Sequence, residues 1–178
     1  MKLLKWLLVT VVVLGIVLVG GSLFLPATTH VERSASIEAP PAVVFATLDS
    51  FEHFNEWSPW AGLDPATKYD YSGPASGVGS RMDWVGNASV GSGSQEILES
   101  VPHSRIVNAL EFDGNKAKGT YAMVPEGAGT RVTFSLDSEH GYNPIHRWLG
   151  ALAFDRMVGS DYEKGLAKLK ALLESQPR

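Results

Sequence analysis

The chain has no cysteine among its 178 residues. That excludes a disulfide framework, a thiolate metal site, a cysteine nucleophile and the lipidated cysteine of a bacterial lipoprotein. An excess of positive charge is also missing. Fifteen Lys and Arg stand against 19 Asp and Glu, for a formal net charge of −4, and the basic residues are scattered. Binding to phosphate backbones needs a clustered basic face, so nucleic acid is not an expected partner. No internal repeat or low-complexity tract is visible.

Catalytic signatures are scarce as well. The five histidines, His30, His53, His103, His140 and His146, form no pair with another His, Asp or Glu at zinc-ligand spacing. His140 and His146 flank the loop into the last helix at a spacing that does not share one helix face. No G-x-S-x-G nucleophile elbow is present. The run Gly73-Pro74-Ala75-Ser76-Gly77-Val78-Gly79 lacks the lysine and following helix of a phosphate loop, so it reads as a strand connection. Asn87-Ala88-Ser89 fits a glycosylation sequon, which matters only in a eukaryotic secretory pathway. These residues imply no metal, no cofactor and no catalytic constellation.

What is abundant is apolar sequence at the amino terminus. Lys2 and Lys5 precede an uncharged run from Trp6 to Thr29. As a helix, Trp6 to Leu25 spans roughly 30 Å, the thickness of a bilayer's hydrocarbon core. A cleaved signal would have a shorter apolar region and a small-residue cleavage site, whereas Gly20 and Ser22 are followed by more apolar chain, Leu23-Phe24-Leu25. A buried core helix is the third reading, and an uncleaved anchor is the expectation. The bilayer is then a partner through residues 6–25. Positive charge before the span and almost none after it predict a cytoplasmic amino terminus and a periplasmic or extracytoplasmic domain. The expected layout is therefore 1–25 cytoplasmic start and anchor, 26–30 linker, and 31–175 one soluble domain.

Within that domain, His30 to Ala39 alternates, with Val31, Arg33, Ala35 and Ile37 on one face, and reads as a strand. Pro40-Pro41 stops it and suits the first turn of a short helix over Ala42–Leu48. Asp49 with Glu52 reads as a capping box opening a second short helix that ends at Ser58-Pro59. From Lys68 to Asp137, short strands alternate with turns, and Asp113-Gly114-Asn115 is the clearest hairpin. Asn143 and Pro144 then open one long helix to about Glu174. Its apolar stripe includes Ile145, Trp148, Leu149, Leu152, Met157, Tyr162, Leu166, Leu169, Leu172 and Leu173.

Three local patterns carry a family likeness: Ile37-Glu38-Ala39-Pro40-Pro41-Ala42-Val43-Val44-Phe45, Asp49 with Phe51, and Glu56-Trp57-Ser58-Pro59-Trp60. With the element order, they resemble the SRPBCC superfamily. That group includes START lipid-transfer domains, birch-pollen-allergen-like proteins, and polyketide cyclase/dehydrase and lipid-transport proteins. The likeness in element order covers about Val31 to Glu174. It implies an α+β helix-grip fold: an antiparallel sheet wrapped around a long C-terminal helix, here preceded by one transmembrane helix. It also implies an apolar cavity between sheet and helix, while members of the group use that cavity in very different ways.

The candidate cavity-wall residues are Trp57, Trp60, Met82, Trp84, Phe112, Tyr121, Met123, Phe134, Trp148 and Leu152. Large soft side chains suit varied apolar ligands, and the same residues would serve as ordinary core. Glu96, Glu99, Glu111 and Asn108 are the polar candidates on the central strands, with a solvated outer face as the simpler reading for the carboxylates. The expected function is a membrane-anchored, non-catalytic binding domain for an apolar or amphipathic, lipid-like small molecule. The alternatives are an envelope or signalling component whose cavity is filled by its own side chains, and a cyclase- or hydrolase-like enzyme.

Overall fold

The computed structural model describes residues 2–175. Helix α1 (Lys2–Ser22) is followed by strand β1 (Thr28–Ile37), helix α2 (Pro41–Leu48), a 3₁₀ turn (Phe51–His53) and helix α3 (Phe54–Trp57). Six strands follow: β2 (Lys68–Ser72), β3 (Arg81–Val85), β4 (Ser92–Val101), β5 (Arg105–Phe112), β6 (Asn115–Glu126) and β7 (Gly129–Glu139). The chain then runs through α4 (Pro144–Leu149), a π-helical turn (Gly150–Phe154) and α5 (Asp155–Glu174).

All seven strands join one antiparallel sheet in the order β1-β7-β6-β5-β4-β3-β2. Each of β2 to β7 pairs with its chain neighbour, as short turns dictate, and β1 closes onto β7. The β5–β6 turn has Asp113 and Gly114 both at positive φ, 46° and 79°, the geometry that matches hairpin twist. A bulge between Ile97 and Glu99 bends β4.

One face of the sheet is buried under α2, α3 and α5. From β1 it presents Val31, Ala35 and Ile37, from β6 Tyr121 and Met123, and from β7 Val132, Phe134 and Leu136. Helix α5 supplies Tyr162, Leu166, Leu169 and Leu173 from one stripe. The helix-grip architecture expected from the sequence is thus the fold.

Two local expectations give way. Asp49 does not open a capping box: it ends α2, and its carboxylate accepts a 2.7 Å hydrogen bond from Ser100 Oγ of β4. Ser50 precedes the 3₁₀ turn without a side-chain cap. A carboxylate that reaches a hydroxyl across the fold is no longer free for the local backbone. The second concerns the long helix, which Asn143 does cap by accepting from Ile145 N and His146 N. Its apolar residues do not form one buried stripe. Ile145, Leu149, Leu152 and Met157 are exposed, whereas the stripe after Tyr162 is buried. The π turn admits an extra residue and shifts the phase of the first part relative to the second.

Helix α1 is long and apolar enough to cross a membrane, and none of its apolar window is buried against the domain. The core-helix reading of this segment is therefore removed.

Candidate functional site

Strand register fixes which side chains meet on the inner face. Along one row stand Ile97, Asn108, Gly119, Leu136 and Val31, each opposite the next. The adjacent row holds Ile106, Tyr121, Phe134 and Arg33. Because successive side chains alternate faces, every second residue of each strand adds to this wall. Toward the end of the sheet where β1 leaves α1, the rows become Met82, Gln95, Leu110, Ala117 and Ser138, then Trp84, Gly93 and Phe112.

Four aromatic rings meet at the centre. Tyr121 and Phe134 have ring centroids 4.5 Å apart, and Trp57 of α3 lies 5.9 Å from Tyr121 and 5.3 Å from Phe134. Tyr162 of α5 meets Phe134 edge-on at 5.7 Å. Tilted and edge-to-face arrangements like these are favourable beyond the area they bury. Burial pushes the hydroxyl pKa values of Tyr121 and Tyr162 far up, so both phenols stay neutral donors.

Two polar atoms in this wall have no hydrogen-bond partner among the described residues: Asn108 Oδ1 and Trp57 Nε1. Asn108 is 2% exposed, and its amide acts on the Tyr121 hydroxyl. Opposite it is Gly119, where an added Cβ would lie 3.9 Å from Asn108 Nδ2, an ordinary van der Waals contact. Leaving such an acceptor unpaired costs about 1–3 kcal/mol, so the position calls for an explanation.

The carboxylates lie elsewhere. Glu96 pairs with Arg81 at 3.4 Å, Arg81 also holds Asp83 at 2.7 Å, and Glu99 pairs with Arg105. Glu111 is exposed beside a shallow depression on the outer face, lined also by Arg81, Asp83 and Asp113. Arg33 does face inward, where its Nε donates to Glu163 at 2.8 Å and its Nη1 to Asp155 at 3.0 Å. Those hydrogen bonds raise the guanidinium pKa and lower that of Asp155. Gly159 makes the room, since a Cβ there would come within 2.1 Å of Arg33 Nη2.

The ten wall candidates separate into groups. Trp57, Tyr121, Met123 and Phe134 converge on the centre, with Trp60 stacked on Phe54 at 6.5 Å at its edge. Met82 and Trp84 are buried toward the α1 end, where Phe112 stacks on Trp84 at 6.4 Å yet remains exposed. Gly93 between those two rings is required: a Cβ there would lie 2.6 Å from the Trp84 ring. Trp148 and Leu152 join neither group. Trp148 Nε1 donates to the Leu18 carbonyl of α1 at 2.9 Å, and Leu152 faces outward. The α1–α4 contact had no sequence signal beyond Arg147 and Trp148 standing within an apolar run. Among the described residues, no three His, Asp or Glu side chains gather as a metal-binding group.

The profile of the family described as polyketide cyclase/dehydrase and lipid transport matches residues 28–174. No functionally curated protein matches the chain in sequence. Solved structures do match in fold. A protein from Chromobacterium violaceum is 18% identical with a TM-score of 0.61, covering 83% of this chain and 99% of that one. The Aha1 dimer from Colwellia psychrerythraea is 18% identical with a TM-score of 0.58, covering 82% and 96%. Ara h 8.0201 is 13% identical with a TM-score of 0.59, covering 84% and 99%.

Proposed function

The chain belongs to the polyketide cyclase/dehydrase and lipid transport family, a ligand-binding fold, and we propose that it is a membrane-anchored, non-catalytic binding domain for an amphipathic small molecule. The ligand lies between the inner face of the sheet and the C-terminal helix. The observation that carries this reading is Asn108 Oδ1, a buried acceptor without a partner among the described residues, in a wall that is mostly apolar and aromatic, with Gln95, Ser138 and Arg33 as its other polar members. A ligand with one hydroxyl or amide donor on an apolar body satisfies it, and Trp57 Nε1 offers a matching donor. The wall is least buried at Phe112 and Leu110, at the end of the sheet nearest α1. Entry from that end brings a lipid-like molecule in from the bilayer side.

The anchor reading rests on the length and apolarity of α1, which lies outside the domain core. Lys2 and Lys5 at its start orient the amino terminus to the cytoplasm and the domain to the periplasmic or extracytoplasmic side. Against catalysis stands the placement of Glu96 and Glu99, each held by an arginine. A second reading is favoured by the mutual packing of Trp57, Tyr121, Phe134 and Tyr162. Here those side chains fill the grip themselves and the domain acts as an envelope component.

Native mass spectrometry of the detergent-solubilised chain separates the two. Binding predicts a co-purifying amphiphile whose retention drops about five- to 150-fold in Asn108→Leu, given the roughly 1–3 kcal/mol cost of leaving the ligand's buried donor unpaired. No bound mass, together with no change of tryptophan fluorescence on adding long-chain fatty acids or isoprenoid alcohols, selects the filled grip.

A further inference from the structure

The first part of the C-terminal helix carries an apolar stripe that the described residues leave largely exposed. Ile145, Leu149, Leu152 and Met157 are 60%, 55%, 76% and 65% exposed. Spacings of four and three residues align the first three on one helical face. The wide π turn then brings Met157, five residues on, toward the same side. A soluble surface scatters single apolar residues, whereas a contiguous row marks a contact site.

What covers this row follows from how α4 is joined to α1. Trp148 Nε1 donates to the Leu18 carbonyl at 2.9 Å, and its ring lies where a Cβ on Gly21 would be 2.9 Å away. The buried Arg147 donates from Nη1 to the Ser22 carbonyl at 3.1 Å and from Nε to the Gly141 carbonyl at 2.7 Å. The Ser22 carbonyl at the end of α1, which also accepts from Leu25 N at 3.2 Å, thereby gains a cation that complements the helix dipole. These contacts hold α4 level with Leu18–Ser22, the last turn of the apolar helix. Phe24 and Tyr142, 92% and 91% exposed, flank the joint.

We infer that residues 145–157 form an interface-lying helix that seats its apolar row in the lipid leaflet from which α1 emerges. The inference rests on α1 being a membrane span. Level with Leu18–Ser22, the row sits where amphipathic helices bury about 5–10 Å into the headgroup and acyl boundary. Trp148 and Tyr142 then occupy the interfacial belt that such rings favour. The domain is seated on the bilayer rather than swinging from a linker.

Because the chain has no cysteine, single cysteines introduced at Leu152, Val12 and Ala128 each take one fluorescent label. Val12 lies within α1, and Ala128 is exposed in the β6–β7 turn at the opposite end of β1 from α1. The full chain is placed in phosphatidylcholine–phosphatidylglycerol vesicles containing nitroxide-labelled lipids. The expected result is strong quenching of Val12→Cys and several-fold more quenching of Leu152→Cys than of Ala128→Cys, strongest with shallow nitroxides. If Val12→Cys is quenched and Leu152→Cys behaves like Ala128→Cys, the seating is overturned and the span stands. A Leu152 label hidden from aqueous iodide yet untouched by lipid nitroxides overturns it in favour of a protein partner or second copy. An unquenched Val12→Cys overturns the span and the seating together.

Discussion

Histidine 140 shows how a single side chain records its place in the fold. It opens the loop after β7, with Nε2 2.6 Å from Thr29 Oγ1 and its ring edge-on to Phe154 at 5.8 Å. Burial first, then the nearby His146 and Arg147, lower its pKa from the ordinary 6.5. The folded state therefore resists a proton that the unfolded chain accepts. The stabilisation is whole above pH 6.5 and is lost as pH falls through the lowered folded value. Denaturant titrations across that range should show stability falling on acidification, and His140→Gln should flatten the slope. If the variant and the parent lose stability in parallel, His140 is not the group responsible.

At the scale of elements, the helix start at Asn143 is the feature most open to test. Its side chain accepts from Ile145 N at 3.0 Å and His146 N at 3.2 Å, while Pro144 fills the first helical position. Asn143→Ala should cost about 1 kcal/mol, as at other N-caps, read as a lower denaturation midpoint with an unchanged slope. This element was legible because its signals are local: a cap, a proline and a repeat of apolar residues. The strands were legible for the same reason, and the alternation of Val132, Phe134 and Leu136 survives unchanged in the structure. The exposed row from Ile145 to Met157 was not, because helical spacing says which residues share a face but not what that face meets. The π turn left no residue pattern to mark it. Of the candidate wall, Tyr121 and Met123 could be placed from alternation on β6, whereas the destination of Trp148 depended on α1, far away in sequence. Asn108 could be suspected from its strand but not shown to lack a partner, since that requires knowing all its neighbours.

For the whole molecule, the question is whether helix and domain move as one body. Arg147 bridges them by holding the Ser22 and Gly141 carbonyls. Arg147→Met keeps much of the aliphatic bulk and removes both donors. Hydrogen exchange of the detergent-solubilised chain should then quicken in the last turn of α1 and the start of α4. Amides of β6 and β7, deep in the sheet ladder, should keep their protection. Uniform quickening throughout would mean instead that Arg147 supports the fold as a whole. The π turn gives this union its aim. A helix advances about 100° per residue, so one residue more or less between Gly150 and Phe154 would rotate everything before it against everything after it. Removing one would leave Tyr162, Leu166 and Leu169 on the sheet yet swing Trp148 away from Leu18. The compass bearing of α1 relative to the domain is thus written in residue count rather than residue type. A single insertion or deletion there steers the whole assembly without replacing Trp148, which meets α1, or Tyr162, which meets the sheet.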